Sequence, residues 1–161
     1  MRVKNIIDED FVNYKKPSMF VSTISCGGKC CTEAGIPFSV CQNDEWRKAP
    51  IVDIEDRQII IRYKNNPITS AIVFGGLEPF EQFDELVHFI STLRADFGIE
   101  DDVVIYTGYN KSEIEDYVRE LEYFANIIIK FGRFIPNSEK RFDDILGITL
   151  ASKNQYAEKI S

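Results

Sequence analysis

The chain has 161 residues, 44% of them hydrophobic and 28% charged, a balance that reads as one ordinary globular domain spanning residues 1–161. At this length about 70% of the surface exposed by the unfolded chain is buried on folding, so no disulfides are needed. The formal net charge of −7 and the lack of a dense Lys/Arg run exclude a general nucleic-acid binder, and no stretch approaches the roughly 20 apolar residues of a membrane span.

Met1 to Lys16 is charged and lacks an apolar centre, which argues against a signal peptide and for a cytoplasmic protein. Residues 1–17 read as a lead-in segment ending at Pro17. Met19 to Ile24 reads as a first strand. Ser25 to Asn43 reads as a loop without helix or strand periodicity, holding three glycines, one proline and all four cysteines. Ile54 to Tyr63 is ambiguous, and its flanking charges together with Asn65-Asn66-Pro67 favour a helix.

From there the chain alternates. Ser70 to Phe74 is a short buried strand. Pro79 to Phe97 is an amphipathic helix with Phe83, Leu86, Val87, Ile90 and Leu93 on one stripe. Val103 to Tyr106 is a strand, Lys111 to Phe124 a helix, Asn126 to Phe131 a strand, and Gly147 to Leu150 a further strand. Strands alternating with helices predict an α/β fold with a mostly parallel sheet. Phe74 runs into Gly75-Gly76, Tyr106 into Thr107-Gly108, Phe131 into Gly132, and Leu150 into Ala151-Ser152. In a parallel sheet these ends share the carboxyl edge, where ligands bind. The cysteine loop also follows a strand and should open there.

The cysteines carry the chemistry. Cys26, Cys30, Cys31 and Cys41 fall within one loop, and none follows in the remaining 120 residues. A disulfide framework would tie distant parts together, so the cluster points to metal or redox chemistry. Thiolates hold iron–sulfur clusters, usually four of them, and three would leave one iron open for a ligand. A four-thiolate zinc site and unrelated free thiols are the alternatives. Adjacent Cys30-Cys31 is poor for zinc, which favours a Cys-x2-Cys spacing. Gly75-Gly76-Leu77-Glu78-Pro79 reads as a tight βα turn with Pro79 at the first helical position. Its carbonyls and the Glu78 carboxylate could also hold a ligand's ammonium group.

A cysteine loop after the first strand, followed by Gly-Gly-x-x-Pro at a later strand end, resembles the radical-SAM superfamily. Ile105-Tyr106-Thr107-Gly108-Tyr109, Ile127 to Ile135 and Leu150 to Gln155 resemble the anaerobic ribonucleotide reductase activating proteins, in order from Phe20 to Gln155. This resemblance implies a small partial (β/α) barrel and a [4Fe–4S] cluster on Cys26, Cys30 and Cys41. It implies that S-adenosylmethionine binds the open iron and is cleaved to methionine and a 5′-deoxyadenosyl radical, which takes a hydrogen from a glycine on a large partner enzyme. A low-potential electron donor such as flavodoxin would feed the cluster. Gly75, Gly76 and Glu78 would bind the methionine amino group, and Gly108 would lie near the adenosyl half. No general acid or base is assigned.

Two departures stand out. The family's Cys-x3-Cys-x2-Cys becomes Cys26-x3-Cys30 with Glu33 in the third place. The Cys41-Gln42-Asn43 context suggests that Cys41 is the third ligand, displaced by an insertion, with Cys31 a spare thiol. Gly-Gly-Leu-Glu-Pro carries one residue more than the commoner Gly-Gly-Glu-Pro. Another glycyl radical enzyme as target, or a zinc or cluster protein without S-adenosylmethionine chemistry, are the alternatives. His88, Trp46, Glu100-Asp101-Asp102 and Asp143-Asp144 carry only structural expectations. Tyr106 and Tyr109 could touch adenine or pack.

Overall fold

The structure, a computed structural model, describes residues 1–161. In chain order the elements are β1 (Arg2–Val3), β2 (Asn5–Asp10), β3 (Ser18–Ser22), α1 (Lys29–Ala34), α2 (Asp44–Lys48), β4 (Val52–Asp53), α3 (Asp56–Lys64) and β5 (Ala71–Gly75). Then come α4 (Phe83–Ala95), β6 (Asp102–Tyr106), α5 (Glu115–Leu121), β7 (Ile127–Phe131), β8 (Arg141–Asp143), β9 (Ile148–Leu150) and β10 (Tyr156–Lys159). Short 3-10 turns at Pro79–Gln82 and Lys111–Glu113 lead into α4 and α5.

Six strands form the central sheet in the order β10-β7-β6-β5-β3-β2. The four inner strands β3, β5, β6 and β7 are parallel. Each edge is closed by an antiparallel strand, β2 on β3 and β10 on β7. The inner strands are apolar on both faces because both faces are covered. On one face Val21, Ile72, Phe74, Val103, Ile105, Ile127, Ile129 and Phe131 pack against the buried sides of α3, α4 and α5. On the other, Phe20, Val73, Val104 and Ile128 are covered by Tyr14, Leu146 and Leu150. No helix is long and apolar enough to cross a membrane.

The alternating α/β pattern and the parallel strands hold, and the Ile54–Tyr63 segment is helical as α3. Three expectations are corrected. Residues 1–17 contain β1 and β2 and are not merely a lead-in. The cysteine segment is not all loop: Gly28, with φ +67°, starts α1, and Gly35, with φ +63°, ends it. Gly147 to Leu150 does not join the parallel sheet: β9 pairs antiparallel with β8 in a separate ribbon. Leu150 is therefore not a strand end of the parallel sheet. The following turn still reaches the carboxyl edge, since Gln155 Nε2 donates to the Gly132 carbonyl at 3.2 Å and Asn154 Nδ2 to that of Arg133 at 2.9 Å.

Candidate metal centre

The cysteine segment is stitched to the carboxyl edge by hydrogen bonds. The Glu78 N–H donates to the Ser25 carbonyl at 2.8 Å. The Ile24 N–H donates to Gln82 Oε1 at 3.1 Å, and the Gly27 N–H to Glu81 Oε1 at 2.6 Å. These bonds fix the chain just before and just after Cys26 onto the turn between β5 and α4. A left-handed backbone at Gly28 then swings Cys30 and Cys31 onto α1. The Phe38 ring lies so close over Gly28 that a Cβ there would meet it at 1.6 Å.

Cys26 and Cys30 line one cleft together with Gly28, Lys29, Glu78, Glu81, Gly108 and Tyr109. A Cβ on Gly108 would stand 4.0 Å from Cys30 Sγ and 3.6 Å from Glu78 Oε2, so the missing side chain leaves room at the end of β6. Cys41 does not line this cleft. It stands beside Cys31, which is 4% exposed and senses the charges of both Cys41 and Cys30. The four thiols thus run in sequence order from the cleft into the loop. Burial pushes the Cys26 thiol up to about 12, opposed by the Gly28 N–H, which donates to its sulfur at 3.4 Å. Burial also raises Cys31. Metal uptake here must displace thiol protons.

No three His, Cys, Asp or Glu side chains converge closely enough to hold one metal ion. The donor set is four thiols, two of them on one glycine-lined cleft, and thiolates are the ligands that an iron–sulfur cluster takes.

Glu78 is 6% exposed and turned inward. Its Oε1 accepts from Thr107 Oγ1 at 2.7 Å and the Phe80 N–H at 3.2 Å, and its Oε2 from the Gly108 N–H at 2.8 Å. Burial nonetheless raises its carboxyl to about 7 against those bonds. The Gly75 carbonyl, expected to face a ligand, already accepts from Thr23 N–H at 3.1 Å and Leu77 N–H at 2.9 Å. Gly76, at φ +74°, packs on Ser22, whose buried hydroxyl has no partner. Of the two tyrosines, Tyr109 lines the cleft, whereas Tyr106 donates to the Asn13 carbonyl and covers the other face of the sheet.

Three features escaped the sequence reading. Glu81 reaches the cleft because it lies one helical turn after Glu78, a spacing visible in the sequence. Lys130 is buried at the end of β7, and its sign was one charge inside an apolar strand. Arg133 joins Glu33 of α1 to Glu113, which Lys29 also bonds. The wider hollow around Asp56 and His88 contains no cysteine.

A family model described as a 4Fe-4S single cluster domain matches residues 20–155. The chain belongs to that family. Comparison with curated proteins and with solved structures gives no match. The matched span of this 4Fe-4S single cluster domain runs from β3 to the turn before β10 and includes all four cysteines and the whole cleft. The family assignment supplies the cluster, and Cys26 and Cys30 are the two thiols that line the cleft.

Proposed function

We propose that the chain holds its [4Fe–4S] cluster on Cys26, Cys30 and Cys41 and uses it to cleave S-adenosylmethionine, activating a glycyl radical enzyme, the large subunit of an anaerobic ribonucleotide reductase. The observation that carries this reading is the shared cleft. Cys26 and Cys30 stand beside Glu78, Glu81 and Gly108 at the ends of β5 and β6. S-adenosylmethionine brings an ammonium and a sulfonium, and a cleft walled by two carboxylates and thiolates complements a cation. When bound, the cluster supplies the electron that breaks the carbon–sulfur bond. The chain's own groups bind and orient. Glu81 offers the freer carboxylate to the ammonium group, Glu78 supports it from within, and Tyr109 stands at the rim for the adenosyl half. The electron comes from a low-potential donor such as flavodoxin.

The test is anaerobic reconstitution followed by iron analysis, 5′-deoxyadenosine yield with a reductant, and a glycyl radical signal on mixing with the reductase subunit. Zinc alone after strictly anaerobic purification would sink the proposal. A second reading, a cluster protein without S-adenosylmethionine chemistry, draws on the internal bonding of the Gly75 carbonyl and Glu78. A fully loaded protein that yields no deoxyadenosine would select it.

A further inference from the structure

Lys130 is a buried cation that the function above does not use. It is 6% exposed and lies at the carboxyl end of β7. Ile127, Ile129 and Phe131 face the helices, so Lys130 points to the opposite face, level with Tyr106 on β6 and 6.0 Å from its ring centre. Its ammonium donates to the Gly132 carbonyl at 2.8 Å and towards that of Thr107 at 3.4 Å. It takes part in none of the chain's ion pairs. An ammonium has three N–H groups, and two carbonyls leave one free. A buried charge without a counter-charge is destabilising, so such a lysine persists where an anion completes it.

Burial lowers the Lys130 ammonium to about 8, opposed by Glu78 and Cys30, two acidic groups at the same strand ends. Three donors already hold Glu78. Cys30 Sγ lies 4.0 Å from where a Cβ on Gly108 would stand, one residue after Thr107, whose carbonyl Lys130 approaches. A [4Fe–4S] cluster on three thiolates is anionic and gains one further negative charge when one electron enters. A fixed cation in a low-dielectric wall favours that reduced state.

We propose that Lys130 is the counter-charge of the cluster and sets its reduction potential. It acts through the cluster's field and is a positioning residue, not a catalytic one. The assignment rests on cluster ligation by Cys26 and Cys30 and is independent of S-adenosylmethionine cleavage.

The experiment is a redox titration of the reconstituted protein, followed by electron paramagnetic resonance, without S-adenosylmethionine. Wild type is compared with Lys130→Met, Lys130→Gln and Lys130→Arg at matched iron content. Met keeps the volume, Gln keeps an N–H for the Gly132 carbonyl, and Arg keeps the charge. Met and Gln should lower the reduced-to-oxidised ratio at a fixed solution potential about tenfold, a shift near 59 mV for one electron, while Arg stays within a small fraction of wild type. If Met fails to fold, Gln alone decides. A clamp that only ties strand ends would leave the Gln potential where it was, and an unmoved potential in the loaded neutral variants overturns the proposal. A wild-type protein that takes up no iron overturns the ligation itself, and with it the role of Lys130.

Discussion

Glu33 and Arg133 form an ion pair at 2.8 Å that joins the cysteine helix α1 to the end of β7. The resemblance would place a thiolate at position 33. The carboxylate found there is instead directed at a guanidinium that is itself 7% exposed. The same guanidinium grips Glu113 with two bonds of 2.6 Å each, and Lys29 completes the group. Two segments that wall the cleft, α1 and the chain that follows β6, thus meet on one side chain.

Arg133→Met should therefore lower the unfolding free energy by about 1–3 kcal/mol, because two charged hydrogen bonds to Glu113 and the ion pair with Glu33 are lost. The loss should depend on pH. The Arg133 hydrogen bonds, helped by Lys29, hold the Glu113 carboxyl well below the usual carboxylate range. A depressed carboxyl contributes stability that is full above its unfolded value near ~4.3 and fades as pH falls below it. Urea midpoints of wild type and variant should differ most at pH 7 and converge in more acidic buffer. A gap that stays constant down to pH 3 would show that Glu113 does not carry the effect.

Glu78 should show the opposite pH dependence. Burial raises its carboxyl from 4.5 to about 7, against the bonds from Gly108, Thr107 and Phe80. A raised carboxyl contributes stability below its unfolded value that is lost as pH rises through the folded value. Glu78→Gln cannot ionise, but its amide N–H2 must face either the Gly108 N–H or the other two donors. The variant should be clearly weaker than wild type at pH 5, and the gap should narrow towards pH 8. Thermal midpoints across that range check it, and a widening gap would refute the buried-acid assignment.

The inner strands were legible because each is apolar on both faces and ends in small residues, a signal that survives without any partner in view. β2 was not. Its sequence Asn-Ile-Ile-Asp-Glu-Asp is an edge strand of alternating partial burial, too polar to stand out before β3 is known to pair with it. α1 has six residues, too few for periodicity, and a glycine conformation starts it. The β8–β9 ribbon is fixed by Asp143, whose carboxylate accepts from the Ile145, Leu146 and Ala157 N–H groups, the last fourteen residues away. In the site, the joint cleft of Cys26 and Cys30 followed from the strand-end logic. The seating of Cys41 beside Cys31, the inward turn of Glu78, and the Arg133 hub depend on contacts between distant segments, which spacing does not encode.

The cysteine roles separate by variant. Cys31 is a buried thiol among its neighbours, so Cys31→Ala should lose about 1–2 kcal/mol of stability as a small buried apolar group does, yet retain iron. Cys26→Ala and Cys30→Ala should lose the cluster from the cleft. Cys41→Ala should lose it as well, although Cys41 does not line that cleft. Iron content per chain after anaerobic reconstitution distinguishes the cases. Retention in Cys41→Ala together with loss in Cys31→Ala would transfer the third ligand to Cys31.

Gly28 and Gly35 bracket α1 in the same left-handed conformation, at φ +67° and +63°, and their surroundings differ. A Cβ at Gly35 meets nothing within 4 Å, whereas one at Gly28 would lie inside the Phe38 ring. Each alanine substitution carries the same backbone penalty, about 1–2 kcal/mol for a left-handed L-residue. Only Gly28→Ala must also expel Phe38, and with it the Phe38–Val40 turn that delivers Cys41. The Arg47 guanidinium, 4.3 Å from the Phe38 ring centre, would lose its seat at the same time. Both variants should therefore lose similar stability from the backbone, with a further loss and a sharp fall in iron content confined to Gly28→Ala. Phe38→Ala in the Gly28→Ala background relieves the clash without restoring the seat, so it should recover stability and leave iron low. Equal iron content in the Gly28→Ala and Gly35→Ala proteins would mean that the Phe38 contact does not position Cys41 for the cluster.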